Sequence, residues 1–205
     1  MIQIRLARAA DAAAIADIYR PSIESAATSF ETIAPDAEEM ASRIRGTLER
    51  HPWLVCDIEG VVAGYAYATR HRERAAYRWS VDTSVYVSQA FYRLGVGRGL
   101  YASLFDILAA QGYVAAYAGI ALPNPASVRL HEGVGFVPVG IYRRVGFKLG
   151  KWHDVGWWER PLAQRAALPA EPLSLAEVRA RPQWESGLAR GESMVRANRG
   201  GVRRS

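Results

Sequence analysis

The segment Arg93-Leu94-Gly95-Val96-Gly97-Arg98-Gly99 carries the most specific chemical signal in the chain. It lies where a strand-like run gives way to a helix-like one. Side chains at its three glycines would obstruct close backbone approach, and free N–H groups opening a helix attract an anion. A pyrophosphate is the natural guest, and Arg93 and Arg98 add charge. The pattern lacks the Lys-Ser/Thr ending of a nucleoside triphosphate loop. It also follows the fourth strand rather than the first, unlike a dinucleotide fingerprint. A tight strand-to-helix turn without a ligand accounts for the same residues.

A second cluster, Arg70, His71, Arg72, Arg74 and Arg78, is read equally well as a solvated loop or as a binding surface. The single cysteine, Cys56, excludes an internal disulfide framework and a cysteine zinc cluster, and its apolar neighbours make it a buried structural thiol. No metal site is expected.

These residues need elements to hold them. Residues 3–8 alternate like a short strand, and Asp11 is placed to cap a helix over 12–25. Pro35 and Asp36 open a second helix to Arg50. Strands follow at 53–58, 61–69 and 76–87, the first two joined through the Glu59-Gly60 turn. The glycine segment leads into a helix from Leu100. Residues 113–120 read as a buried strand, 125–132 as a helix, and 136–147 with 152–160 as a closing strand pair. This order predicts an α/β fold, a mixed sheet covered on both faces.

Half of the 205 residues are hydrophobic, enough for a core, and the net charge is +6. Counting separates that charge: residues 1–160 hold 18 basic against 16 acidic side chains, or +2, and residues 161–205 hold 8 against 4, or +4. The proline- and arginine-rich 161–205 stretch is therefore expected to be a detachable, partly disordered extension, with a short helix near 173–180 and a frayed end. No apolar run reaches the ~18 residues of a membrane span, and the N-terminus does not resemble a signal peptide. A cytoplasmic protein with no membrane partner is expected.

Taken together, several stretches resemble the GNAT N-acetyltransferases, and more narrowly the phosphinothricin and methionine sulfoximine acetyltransferase branch. They are the glycine segment with Val85-Tyr86-Val87 before it, Leu122-Pro123-Asn124-Pro125-Ala126-Ser127-Val128-Arg129-Leu130-His131-Glu132 after it, Pro52-Trp53-Leu54-Val55, Ala63-Gly64-Tyr65-Ala66-Tyr67-Ala68, Ala76-Tyr77-Arg78-Trp79-Ser80, Gly146-Phe147-Lys148, and Gly150-Lys151-Trp152-His153-Asp154-Val155-Gly156. The similarity runs from about residue 2 to 160, so the domain is set at 1–160.

The resemblance implies a mostly antiparallel central sheet splayed between strands 4 and 5, with acetyl-CoA wedged in the gap. Val85, Tyr86 and Val87 would bond the pantetheine arm through their backbone. Arg93, Leu94, Gly95, Val96, Gly97 and Arg98 would hold the pyrophosphate, and Asn124 and Ser127 would contact the cofactor further along. The family's acid falls on Asp82, implied as general base working through water, and its motif histidine falls on His131, implied as a second proton-handling group. Tyr92 stands where the family usually has glutamine, and Asp82 where it usually has glutamate, which sets the carboxylate roughly 1.5 Å farther back.

Phe30, Arg72, Arg74, Tyr77 and Val155 match the substrate pocket, implying an amino-acid-like anionic acceptor. The implied state is a homodimer. Competing readings are a GNAT enzyme with another amine acceptor, a silent acyl-CoA binder, and a nucleic-acid module using the basic extension. The nearly balanced body favours no nucleic acid.

Overall fold

The computed structural model describes residues 1–196. β1 (Ile2–Leu6) precedes α1 (Ala12–Glu24) and α2 (Ala37–Leu48), which lead into β2 (Trp53–Ile58), β3 (Val61–Arg70) and β4 (Ser80–Val87). Then come α3 (Val96–Gln111), β5 (Ala115–Leu122), α4 (Pro125–Gly133), β6 (Val137–Lys148), β7 (Lys151–Pro161), α5 (Leu175–Arg179) and α6 (Pro182–Glu192). The strands form one sheet in the order β1-β2-β3-β4-β5-β7-β6. Every neighbouring pair is antiparallel except β4 and β5, which run parallel.

The alternation of side chains along each strand decides which layer they enter. On β2, Trp53 and Val55 pack with Tyr65 of β3 against Ile15, Tyr19, Met40 and Ile44 of α1 and α2. Leu54 and Cys56 face the opposite way, joining Ala66, Ala68, Val81 and Ala116 beneath Leu100, Leu104 and Leu108 of α3. Each of those fully buried leucines contributes roughly 1.5–3 kcal/mol by leaving water. The layers thus hold β4 and β5, the strands that carry the candidate site, from both faces.

Three local expectations are corrected. Asp11 does not cap α1: its carboxylate takes Arg5 at 2.7 Å and the Arg8 N–H at 2.7 Å, so partners on the preceding strand and turn outcompete the cap. The run expected as a strand from residue 76 opens instead with a single turn, Ala75–Tyr77, and the strand begins at Ser80. The third helix starts inside the glycine segment, at Val96, with Gly95 at a left-handed φ of 87° as its cap.

The extension is corrected more deeply. A helix near 173–180 is present as α5, with Ser174 accepting from the Glu177 N–H and Glu177 reaching back to the Ser174 N–H. The segment is not detachable, however. Leu175, Val178, Trp184 and Val195 are buried in the same core as α3. Gln111 Nε2 donates to the Leu173 carbonyl, Trp79 Nε1 donates to the Ala170 carbonyl, and Arg190 pairs with Asp106 at 2.7 Å. Glu192 Oε1 accepts the Ile4 N–H at 2.8 Å, covering part of the free edge of β1. The frayed end expected past residue 196 lies outside the described residues. Among those that are described, no helix is long and apolar enough to cross a membrane.

Candidate active site

β4 and β5 pair only from Ser80↔Ala115 to Asp82↔Tyr117, and beyond that point the strands part. The gap opens a cleft of ≈ 1470 Å³. Backbone polar groups alternate in direction along a strand. Since the Ser88 N–H is turned to Ala63 on β3, those of Val85 and Val87 face the cleft, unpaired by β5. Val85, Tyr86, Val87, Arg93, Gly95, Val96, Gly97, Arg98, Asn124 and Ser127 all line it. Leu94 does not; it packs against the main core. The first N–H groups of α3 have no helical acceptor, and Arg93, Arg98, Arg129 and Arg196 stand around the same cleft. The residues thus fit a long, narrow ligand that is polyanionic at one end.

The glycines serve another purpose than the one expected. A Cβ on Gly95 would strike the Met194 carbonyl, one on Gly99 would strike the Gly191 carbonyl, and one on Gly97 would meet the side chains of Leu130 at 3.1 Å and Val87 at 3.6 Å. Two of the three glycines therefore admit the C-terminal extension, and Gly95 lines the cleft as well. Arg196 closes this contact, donating its N–H to the Leu94 carbonyl at 2.8 Å.

At the apex of the cleft Asp82 is not free. Its Oδ1 lies 2.6 Å from His71 Nδ1, and Arg72 Nη1 is 3.7 Å from Oδ2. Burial raises the Asp82 pKa above the usual carboxylate range, opposed by His71 and Arg72. The His71 ring stacks on Tyr117, with centroids 4.4 Å apart, and meets Tyr77 edge-on at 5.8 Å.

His131, in α4, is sealed. Its Nδ1 lies 2.8 Å from the Ser127 carbonyl, which only accepts, so that nitrogen carries the proton. Its Nε2 then accepts from the buried Tyr101 hydroxyl at 2.8 Å. Burial lowers its pKa, which favours the neutral ring. His131 lines the cleft, and both of its ring nitrogens are already hydrogen-bonded.

The family profile described as "Acetyltransferase (GNAT) domain" matches residues 4–157. The chain belongs to the GNAT acetyltransferases. It is 44% identical to a phosphinothricin N-acetyltransferase of Streptomyces viridochromogenes over 86% of this chain and 94% of that one. It is 34% identical to an L-methionine sulfoximine/L-methionine sulfone acetyltransferase of Salmonella typhimurium over 80% and 96%. The structure of a GNAT phosphinothricin acetyltransferase of Sinorhizobium meliloti in complex with acetyl-CoA superimposes with a TM-score of 0.79 at 35% identity, covering 84% of this chain and 95% of that one.

In this GNAT chain the residues expected around an acceptor sit on the face of the sheet that carries Asp82. Arg72 lies over the Trp157 ring at 5.4 Å, and Arg74 and Tyr77 are exposed beside it. Val155 pairs across from Ala121 on β5. Phe30 is farther along, its ring filling the space above Gly146 on β6. Lys148 Nζ fixes the loop carrying Phe30, donating to the carbonyls of Ser29 at 2.6 Å and Glu31 at 2.8 Å.

Sequence reasoning missed His71, Tyr101 and Arg196. His71 stood in a basic cluster, and only its neighbours Arg72 and Arg74 were given a role. No signal in the sequence joins it to Asp82, eleven positions on. The joining depends on β3 and β4 pairing through Thr69↔Asp82.

Proposed function

We propose that this GNAT enzyme transfers the acetyl group of acetyl-CoA to the α-amino group of phosphinothricin-like or methionine sulfoximine-like amino acids. The observation that carries the reading is the parting of β4 from β5 just past Asp82, the last paired position, into a cleft that has a basic, amide-lined loop at one end. The fit with acetyl-CoA rests on shape and charge: the unpaired N–H groups of Val85 and Val87 suit the amides of a pantetheine arm, and the α3 N-terminus suits a pyrophosphate. Asn124 uses its side-chain oxygen to cap α4, accepting from the Ser127 N–H at 3.1 Å, so the two shape the cleft wall together.

An α-ammonium must lose a proton before its nitrogen can attack the thioester carbon. That proton goes to the Asp82 end of the cleft. A backbone N–H of the β4 segment stabilises the tetrahedral oxyanion, the C–S bond breaks, and the thiolate is protonated as the amide forms. His131 positions Ser127 and Tyr101 rather than moving protons. Arg72 and Arg74 supply the cations for the acceptor's carboxylate and phosphinate or sulfoximine groups, because a guanidinium binds such groups bidentately. Cationic acceptors such as polyamines would meet these arginines unfavourably.

The reading of a homodimer is supported by β6. This edge strand exposes Val139, Ile141, Val145 and Phe147, each at least half exposed, with Trp152 of β7 beside them. Apolar edges of this kind are normally covered. A cytoplasmic location suits a substrate set of acetyl-CoA and free amino acids.

The test is thiol release from acetyl-CoA across a panel of amino acids, with wild-type protein and Arg74→Ala. We expect phosphinothricin or methionine sulfoximine to lead the panel and Arg74→Ala to raise their KM about tenfold or more, the loss of one charged hydrogen-bonding partner. No turnover of any α-amino acid analogue above background would reject the assignment.

A further inference from the structure

We propose that His71 is the catalytic base of this enzyme and that Asp82 is a positioning residue which orients and charges it. The inference rests on the acetyl-transfer reading above and deepens it. Its ground is the geometry of the pair. His71 presents Nδ1 to the Asp82 carboxylate at 2.6 Å, so in the neutral ring Nδ1 keeps its proton and the Nε2 lone pair is left for another partner. Among the described residues Nε2 has no hydrogen-bond partner, in contrast to His131, where both nitrogens are engaged.

Asp82 itself is poorly disposed to act directly. One carboxylate oxygen is committed to His71, and the other faces Arg72. The imidazole, by contrast, carries a second ring nitrogen that is not spent on the carboxylate and can accept a proton.

The ring is held as a catalytic group must be. It lies flat on Tyr117 of β5, with 20° between planes, and its edge is turned to Tyr77 and to Trp157 of β7 at 6.4 Å. The His71 side chain is 12% exposed, so its orientation is fixed by packing rather than by solvent. The charged and titratable groups facing it are Asp82 from β4, Arg72 from its own loop, Tyr77 from the following turn, and Tyr117 from β5, behind which Glu159 pairs with Arg165. Arg72 and Tyr77 are also residues assigned to the acceptor, so the base and the acceptor's binding groups share one corner.

The proton balance is complete. The ammonium gives one proton to His71 Nε2, and its freed lone pair forms the C–N bond. The C–S bond then breaks, its electron pair leaves with sulfur, and the second proton lost from nitrogen ends on the thiol. His71 returns its proton to solvent, so each turnover releases one proton, as amide formation from an ammonium and a thioester requires.

The experiment is a pH profile of kcat/KM with acetyl-CoA and the best acceptor, for wild type, His71→Ala, His71→Gln and Asp82→Asn, each checked by thermal melt and by KM for acetyl-CoA. We expect both His71 variants to keep the acetyl-CoA KM within about twofold while kcat/KM for the acceptor falls about 10²-fold or more and loses its limb near neutrality. Free imidazole should restore much of the rate to His71→Ala. Asp82→Asn should retain a limb, shifted to lower pH because the imidazolium loses its carboxylate partner. The proposal is overturned if the His71 variants stay within about threefold of wild type, or if they keep the limb while Asp82→Asn abolishes it. Wild-type protein inert toward every amino acid would instead remove the underlying acetyl-transfer reading, and this proposal with it.

Discussion

The main-chain carbonyl of Met194 occupies the space that a side chain on Gly95 would need. One residue belongs to the expected pyrophosphate loop, and the other to a C-terminal stretch that no resemblance covered. The extension is thereby part of the cleft between β4 and β5: Met194 and Arg196 line it, following directly on α6. Gly95→Ala should destabilise the fold by about 2 kcal/mol or more, because a left-handed cap is strained for alanine and the carbonyl must move. The expected drop in melting temperature is roughly 5 °C, with a raised KM for acetyl-CoA. Gly97→Ala, which meets a flexible leucine tip, should cost less. Equal melts for the two variants would contradict this account.

Deleting residues 193–205 should raise the KM for acetyl-CoA several-fold, because it removes the Leu94 carbonyl's partner and the Arg196 charge from the cleft. The KM for the acceptor should change little, since the acceptor residues lie on the other face of the sheet. Steady-state kinetics with each substrate varied in turn separate the two. A selective rise in acceptor KM would be the contrary result.

Lys148→Met removes the two hydrogen bonds that hold the loop carrying Phe30. The carbonyls of Ser29 and Glu31 are left seeking water, a cost of about 1–3 kcal/mol each when buried. The acceptor KM should therefore rise while that of acetyl-CoA stays level. The same kinetic comparison decides it.

Stability should fall as pH is lowered from 7 to 5. Burial pushes the His51 pKa down from 6.5 to about 4, and His131 is lowered for the same reason. The folded chain thus keeps these rings neutral where the unfolded chain takes up protons, so stability is lost as pH falls below about 6.5. For His51 alone the loss at pH 5 is about 2 kcal/mol. Urea midpoints at the two pH values should separate more for wild type than for His51→Gln.

The β6 edge gives a prediction about assembly. Ile141→Glu places a charge in the exposed apolar row and should shift the protein toward monomer in light scattering, with little change in the melt of the isolated chain. An unchanged mass in solution would mean that another surface, or none, is used.

Most of the element order was legible because strand and helix periodicities are local. The apolar run of Trp53 to Ile58 and the Asp36 cap of α2, whose carboxylate accepts from Glu39 N–H at 2.8 Å, depend on neighbours a few positions away. The loop at 93–98 was legible for the same reason, since a strand, a turn of glycines and a helix N-terminus together make an anion site. The charge count was legible too, but its meaning was not: a basic, proline-rich stretch reads as solvated until its Leu175, Val178 and Trp184 are seen to fill the core.

By itself the sequence determined the sheet-forming segments, the acetyltransferase resemblance and the set of residues from which a site had to be made. Only the tertiary structure decided their partners. His71 meets Asp82 through strand pairing, Tyr101 seals His131 across thirty positions, and Gly95 meets Met194 across ninety-nine. Local propensity sets the conformation of a segment over a few residues, whereas hydrogen bonding and desolvation depend on whichever distant group the packed chain brings within about 3 Å. The base, the sealed histidine and the docked extension all belong to that second kind of contact.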